Sequence, residues 1–203
     1  MAVRLPLPPE LRGPTFFFHV DMAFAFAGSH VFWVDLLTGV LVCDLFEPQG
    51  PESPVARGVL PVYPPTHNIR FGLKPQEFRS MGCACGAIKL VAMTGYSEGL
   101  PSNEVALKTW TLSPDLKEWK KGSAIQVGDL WGSKSFSAMG LPRVRPMFPV
   151  LSMDEDGIIY VFLNEIEYVD EVNDFGQIIG RQLVLKGHHV ICLDLPSNNV
   201  LYS

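Results

Sequence analysis

Basic residues are scarce in this chain. Lys and Arg number 16 against 21 Asp and Glu in 203 residues, a net charge of −5. Nucleic-acid phosphates are held by clustered cations, so this balance argues against nucleic acid as the main partner. Arg143, Arg145, Lys120 and Lys121 are the only candidates for a local basic patch, too few to build a case for one. Cysteine is sparse too: Cys43, Cys83, Cys85 and Cys192. The leading MAVRLPLPPELRGP is broken by prolines and lacks the continuous apolar core of a secretory signal. Free thiols in a reducing compartment, cytosol or nucleus, are therefore expected. Long apolar runs are missing. FFFHVDMAFAFAG carries His19 and Asp21 and is too short to span a bilayer, so no membrane role is expected.

Catalytic signatures are missing as well. No GxSxG, HExxH or P-loop occurs. Asp174-Phe175-Gly176 spells DFG without the glycine-rich loop or catalytic loop of a kinase. Asp154-Glu155-Asp156-Gly157 resembles the start of a calcium loop but lacks its later ligands, and reads as a hairpin turn. The acidic NEIEYVDEVND (164–174) reads as a solvated loop, a basic partner being the second reading. No enzyme activity is expected and no cofactor is called for.

What is present is a globular composition, 47% hydrophobic and 18% charged, with length enough for a substantial core. No window of eleven or more residues carries a helical period. Instead, short runs rich in Val, Ile, Phe and Trp end at turn residues. VFWVDLL and VLVCDLF form a hairpin about Thr38-Gly39, and FRSMGCACG and AIKLVAMTG a second about Gly86. ALKTWTL and LKEWKK flank Ser113-Pro114-Asp115, VLSMDEDGIIYVFL turns at Asp154–Gly157, and HHVICLDL and VLYS flank PSNN. Proline and glycine, 17 and 18 residues, concentrate between these units, as in EPQGPESPVARG and PVYPPTHN. Residues 1–14 read as a proline-rich lead-in and 15–203 as a single β domain. VLVCDLFEP (40–48) and VICLDLPSN (190–198) echo each other. The fold class is all-β, serial antiparallel hairpins in a partial, propeller-like arrangement of roughly two to three blades, with a β-sandwich as the alternative.

FWVDLLTGVLVCDLF, the Leu60-Pro61 that follows a loop, KTWTLSPDLKEWKK and FPVLSMDEDGIIYVFL together resemble a plant domain of unknown function. It is the one numbered sixteen-eighteen, expanded in grasses and often found C-terminal to an F-box. The Trp-bearing strand pair also resembles F-box-associated, kelch-like propeller repeats. The resemblance covers most of 22–203 and implies a scaffold or interaction module that engages a protein partner. No catalytic residues are known for that family, so none carry over.

Two features invite chemistry. On an extended strand Cys83 and Cys85 share a face at roughly 7 Å between Cα atoms, at the limit for a disulfide. A metal site there would need two more ligands. His188 and Cys192 of HHVIC lie roughly 13 Å apart along a strand, too far to share one ion, and His189 faces away. A small metal-binding or thiol-dependent protein using Cys83 and Cys85 is the alternative function; a free-thiol strand or turn is the simpler reading. Among the tryptophans, Trp33 and Trp110 read as packing residues. Trp131, in GDLWGSKSF, reads as a loop aromatic and the candidate binding anchor.

Overall fold

The computed structural model describes residues 18–44, 57–61 (backbone only), 73–96 and 99–202. The lead-in at 1–14 and most of the two proline-rich loops lie outside them. The described residues form twelve strands: β1 (Met22–Phe26), β2 (His30–Asp35), β3 (Gly39–Asp44), β4 (Arg57–Pro61), β5 (Arg79–Ala84), β6 (Ala87–Thr94), β7 (Ala106–Leu112), β8 (Trp119–Gln126), β9 (Pro146–Leu151), β10 (Ile158–Val172), β11 (Ile178–Asp194) and β12 (Asn199–Tyr202). They pair as three four-stranded antiparallel sheets in sequence order, β1–β4, β5–β8 and β9–β12. We call these the first, second and third sheets. All five expected hairpins are present, and the protein is all-β.

Local chemistry sets the turns. Cys85 and Gly86 both sit at positive φ (+51° and +71°) between the paired Ala84 and Ala87. A two-residue hairpin needs that conformation to match the strand twist, and glycine supplies it without a Cβ clash. After β2 the buried Asp35 carboxylate accepts the Leu37 and Thr38 N–H groups at 3.0 and 2.9 Å, closing the turn into β3. Gly157 is required by proximity: a Cβ there would lie 2.7 Å from Pro196 Cδ, where the β9–β10 and β11–β12 turns meet.

Alternation then decides packing. Phe32, Val34, Val40 and Val42 of the first sheet interleave with Met81, Ile88, Leu90 and Trp110 of the second. The other face of the second sheet, with Val91, Met93 and Leu107, packs on Ile159, Val161 and Leu163 of the third. The three sheets thus stack in series. β6 is buried from Ile88 to Met93 because one side of it meets the first sheet and the other the third. Each such large side chain contributes about 1.5–3 kcal/mol of burial.

Two short helices, α1 (Val127–Gly132) and α2 (Lys134–Ala138), join the second sheet to the third. Both are shorter than a window in which helical period is legible. Ser133 caps α2 by accepting the Phe136 N–H at 3.2 Å, and Leu130 and Phe136 turn into the second core. Among the described residues no helix is long and apolar enough to cross a membrane.

Candidate interaction surface

The acidic segment 164–174 is not a loop. Residues 164–172 continue β10 past the end of its partner β9, whose pairing stops at Leu163↔Pro146. β11 accompanies it, so the two strands leave the sheet as a ribbon that turns at 173–177. The ribbon runs about 30 Å beyond the third sheet at 3.3 Å per residue. Asn173 forms its tip, its side-chain oxygen accepting the Phe175 and Gln177 N–H groups at 3.0 Å each. Alternation explains the difference: the charges of Glu165, Glu167, Asp170 and Glu171 mask apolar residues set between them.

The register sorts the ribbon into two unlike faces. Ile166 pairs with Leu185, Tyr168 with Leu183, Asp170 with Arg181 and Val172 with Ile178, and paired residues point to one side. That side is apolar apart from the polar pair Asn164 and His188 at its root and one ion pair, Arg181 Nε donating to Asp170 Oδ1 at 2.9 Å. The opposite side carries Glu165, Glu167 and Glu171. Lys186 Nζ lies 2.8 Å from Glu167, whose carboxylate raises the lysine pKa.

The apolar side continues onto the body. β10 presents Tyr160, Phe162, Ile166 and Tyr168 to the same side, while Ile159, Val161 and Leu163 face the core. Beside them stand Phe148, whose ring meets Phe162 edge-on at 6.1 Å, and Val190. Phe148 sits in a bulge of β9 at φ +51°, a conformation costly for a non-glycine residue, and is 37% exposed. At the far edge the Tyr160 and Tyr202 hydroxyls bond at 3.0 Å, and this bond holds the Tyr202 phenol well above its ordinary pKa, the Cys192 thiol adding to it. His188 Nδ1 lies 2.6 Å from Asn164 Oδ1 where body and ribbon join.

The residues singled out by sequence lie elsewhere. Cys83 is on β5, but Cys85 occupies the left-handed turn and is exposed, so the two are not same-face neighbours on one strand. The Cys85 N–H donates to Met153 O at 2.8 Å, tying this turn to the β9–β10 loop. Among the described residues no three His, Cys, Asp or Glu side chains gather as a metal site would require. His188 and Cys192 lie along one face of β11, with His189 on the other. Trp131 is on α1, not in a loop. It is partly buried against the second core, its indole Nε1 inaccessible and without a partner. Trp110 is in the first core; Trp33 is half-buried on the face of the first sheet turned away from it.

Two further clusters serve structure. Lys89, nearly buried on β6, pairs with Asp156 in the β9–β10 turn, and that bond to the ammonium holds the Asp156 carboxyl below its ordinary pKa. Arg145 donates to Leu100 O at 2.6 Å and stacks 5.0 Å from the Tyr96 ring. Burial pushes the Tyr96 phenol up to about 12, Glu77 adding to the rise and Arg145 opposing it. Arg145 is thus engaged within the fold.

Serially stacked four-stranded sheets with an apolar end face define an all-β class of protein. Within it, the chain belongs to the family described as "Protein of unknown function (DUF1618)", whose model matches residues 33–160. The match runs from β2 into β10 and stops short of the ribbon. No curated protein and no solved structure matches the chain.

Proposed function

We propose that this chain is a non-enzymatic protein-interaction module of propeller-like build, whose end face and ribbon dock a protein partner. The observation that carries the reading is a comparison of equivalent positions. The sequence echo superposes Val40 and Val42 on Val190 and Cys192, and both segments are the third strand of their sheets. Their cross-strand neighbours Val34 and Phe32 then correspond to Phe162 and Tyr160. In the first sheet these four positions are at most 3% exposed because the second sheet covers them. In the third sheet the same face carries the same kind of side chain: Val190 there is 43% exposed and Tyr160 and Phe162 are half-buried, while Cys192 alone is covered, beside Tyr202 of the same sheet. Repeated stacking in one sense favours a propeller-like series over a two-sheet sandwich. The end of such a series is a surface composed for packing.

The kelch-like and F-box-associated resemblance of the Trp-bearing strands fits this reading, and so does an adaptor or scaffold role in a plant protein. Four free thiols fit the cytosol or nucleus. Trp131, packed against the core between the second and third sheets, is at most a secondary contact. The test is comparative capture on the immobilised chain and on an Ile166→Glu, Leu183→Glu variant. A protein retained by the first and lost by the second, with both chains melting alike, supports the reading. Identical recovery on both chains sinks it.

A further inference from the structure

The open face has a feature that names its occupant. We propose that it is the interface of a face-to-face dimer, in which the third sheet and ribbon of one copy cover those of a second. This rests on the interaction-module reading and specifies the partner as the chain itself.

Three observations lead there. The first is extent. Ten apolar or aromatic side chains on this face, from Phe148 and Val150 on the body to Val172 and Ile178 on the ribbon, are 37–68% exposed. Together they leave on the order of 1,000 Å² of apolar surface, against about 800 Å² that each partner buries in a standard interface. Patches of that size on a lone subunit are unusual. A two-stranded ribbon is also marginally stable by itself, so this one gains most from a second layer.

The second is symmetry. β10 and β11 are the central pair of the sheet order β12-β11-β10-β9. A two-fold axis running between them along the ribbon lays β10 on the partner's β11 and β9 on the partner's β12. Every cross-strand pair then meets its own copy with the two residues exchanged. Tyr168 covers the partner's Leu183, Ile166 the partner's Leu185, and Phe162 the partner's Val190. The whole face is used, as an isologous contact requires.

The third is charge. The apolar stripe of the ribbon is interrupted by one charged row, and its two members are of opposite sign. The exchange places Asp170 against the partner's Arg181 and Arg181 against the partner's Asp170. Four charges then alternate in a closed square, with no like pair in contact. An apolar or uniformly acidic partner would take this pair out of water without adding a matching charge, at a substantial cost. Meanwhile Glu165, Glu167 and Glu171 stay on the outer side, in water.

Sedimentation and light scattering of the 203-residue chain test the proposal. The expected mass is twice the 22.5 kDa of one chain, with a Kd on the order of micromolar. Asp170→Arg and Arg181→Asp each place like charges across the axis and should weaken association about tenfold or more. Mixing the two variants should restore it, because the wholly basic row of one variant then faces the wholly acidic row of the other. Repairing an ion pair within one chain cannot produce that rescue. Circular dichroism on each variant reports whether it is folded, and both sites are exposed. A wild-type chain that stays monomeric well above micromolar concentration overturns the dimer, as does a mixture no tighter than its components. If the chain is monomeric while Ile166→Glu, Leu183→Glu still loses a different captured protein, self-pairing falls and the module reading stands. If that capture is also unchanged, both fall.

Discussion

The second and third sheets are built alike and end differently. β6 and β10 each carry apolar residues on both sides over a stretch of their length. The second sheet has a neighbour on each side, and Ile88 to Met93 are buried. Among the described residues the third has one neighbour. Its inward residues Ile159, Val161 and Leu163 are fully buried, while Tyr160 and Phe162 on the other side are only half covered. The same strand chemistry thus marks a core in one place and an open surface in the other. Burial is decided by what stands opposite, a property no strand carries alone.

Substitutions can widen or close that contrast. The largest effect is expected from Leu90→Ala on β6, which opens a cavity between the first two sheets and should cost about 2–5 kcal/mol in chemical denaturation. Leu183→Ala on the ribbon should cost the dilute chain under about 0.5 kcal/mol, since it empties no core. Equal losses at the two positions would erase the distinction.

Intermediate in size is the link between the second and third sheets. Asp156→Asn leaves the Lys89 ammonium nearly buried without its counter-charge, and should cost about 1–2 kcal/mol, reduced from the value for a fully buried pair because the carboxylate is open to water. Lys89→Met removes the charge with the need for it and should cost less. The sign with pH follows from the lowered carboxyl pKa of Asp156 in the fold. The pair's contribution is complete above the ordinary aspartate range near 3.9 and disappears as pH falls through the lower folded value. Urea titrations stepped down from neutral pH should therefore show the gap between wild type and Asp156→Asn closing below the ordinary aspartate range. A gap that persisted there would place the stabilisation elsewhere.

The smallest effect is the most diagnostic. Phe148→Gly relieves a positive φ but gives up the ring's packing on Phe162, so the two effects offset and the melting stability of the dilute chain should move by under about 1 kcal/mol. It removes an aromatic ring from the open face at the same time. Association should weaken while the fold is little changed, which a residue serving only the fold would not do.

Much of this architecture was legible in the chain. Turn residues at Gly86, Ser113–Asp115, Asp154–Gly157 and 196–199 delimit hairpins because few residues tolerate those backbone angles. The alternation in VFWVD and VLVCD places Phe32, Val34, Val40 and Val42 on one face without reference to any neighbour. β1 and β4 escaped notice: one is short and shares its run with Phe and Ala, the other stands among prolines. The ribbon was hidden by composition. Glu165-Ile166-Glu167-Tyr168 alternates as a strand does, but a window rich in carboxylates reads as solvent-facing on both sides.

Sequence by itself determined the all-β class, the hairpin units and the echo between 40–48 and 190–198, since these follow from backbone preference and period two. The structure seats Cys85 within the turn that Gly86 marks and puts Trp131 on a helix too short to leave a period in the sequence. It also decided which faces are covered. Val40 and Val190 occupy matching strand positions, yet Val40 meets a second sheet and Val190 an open side. Only the order in which the sheets stack could tell them apart.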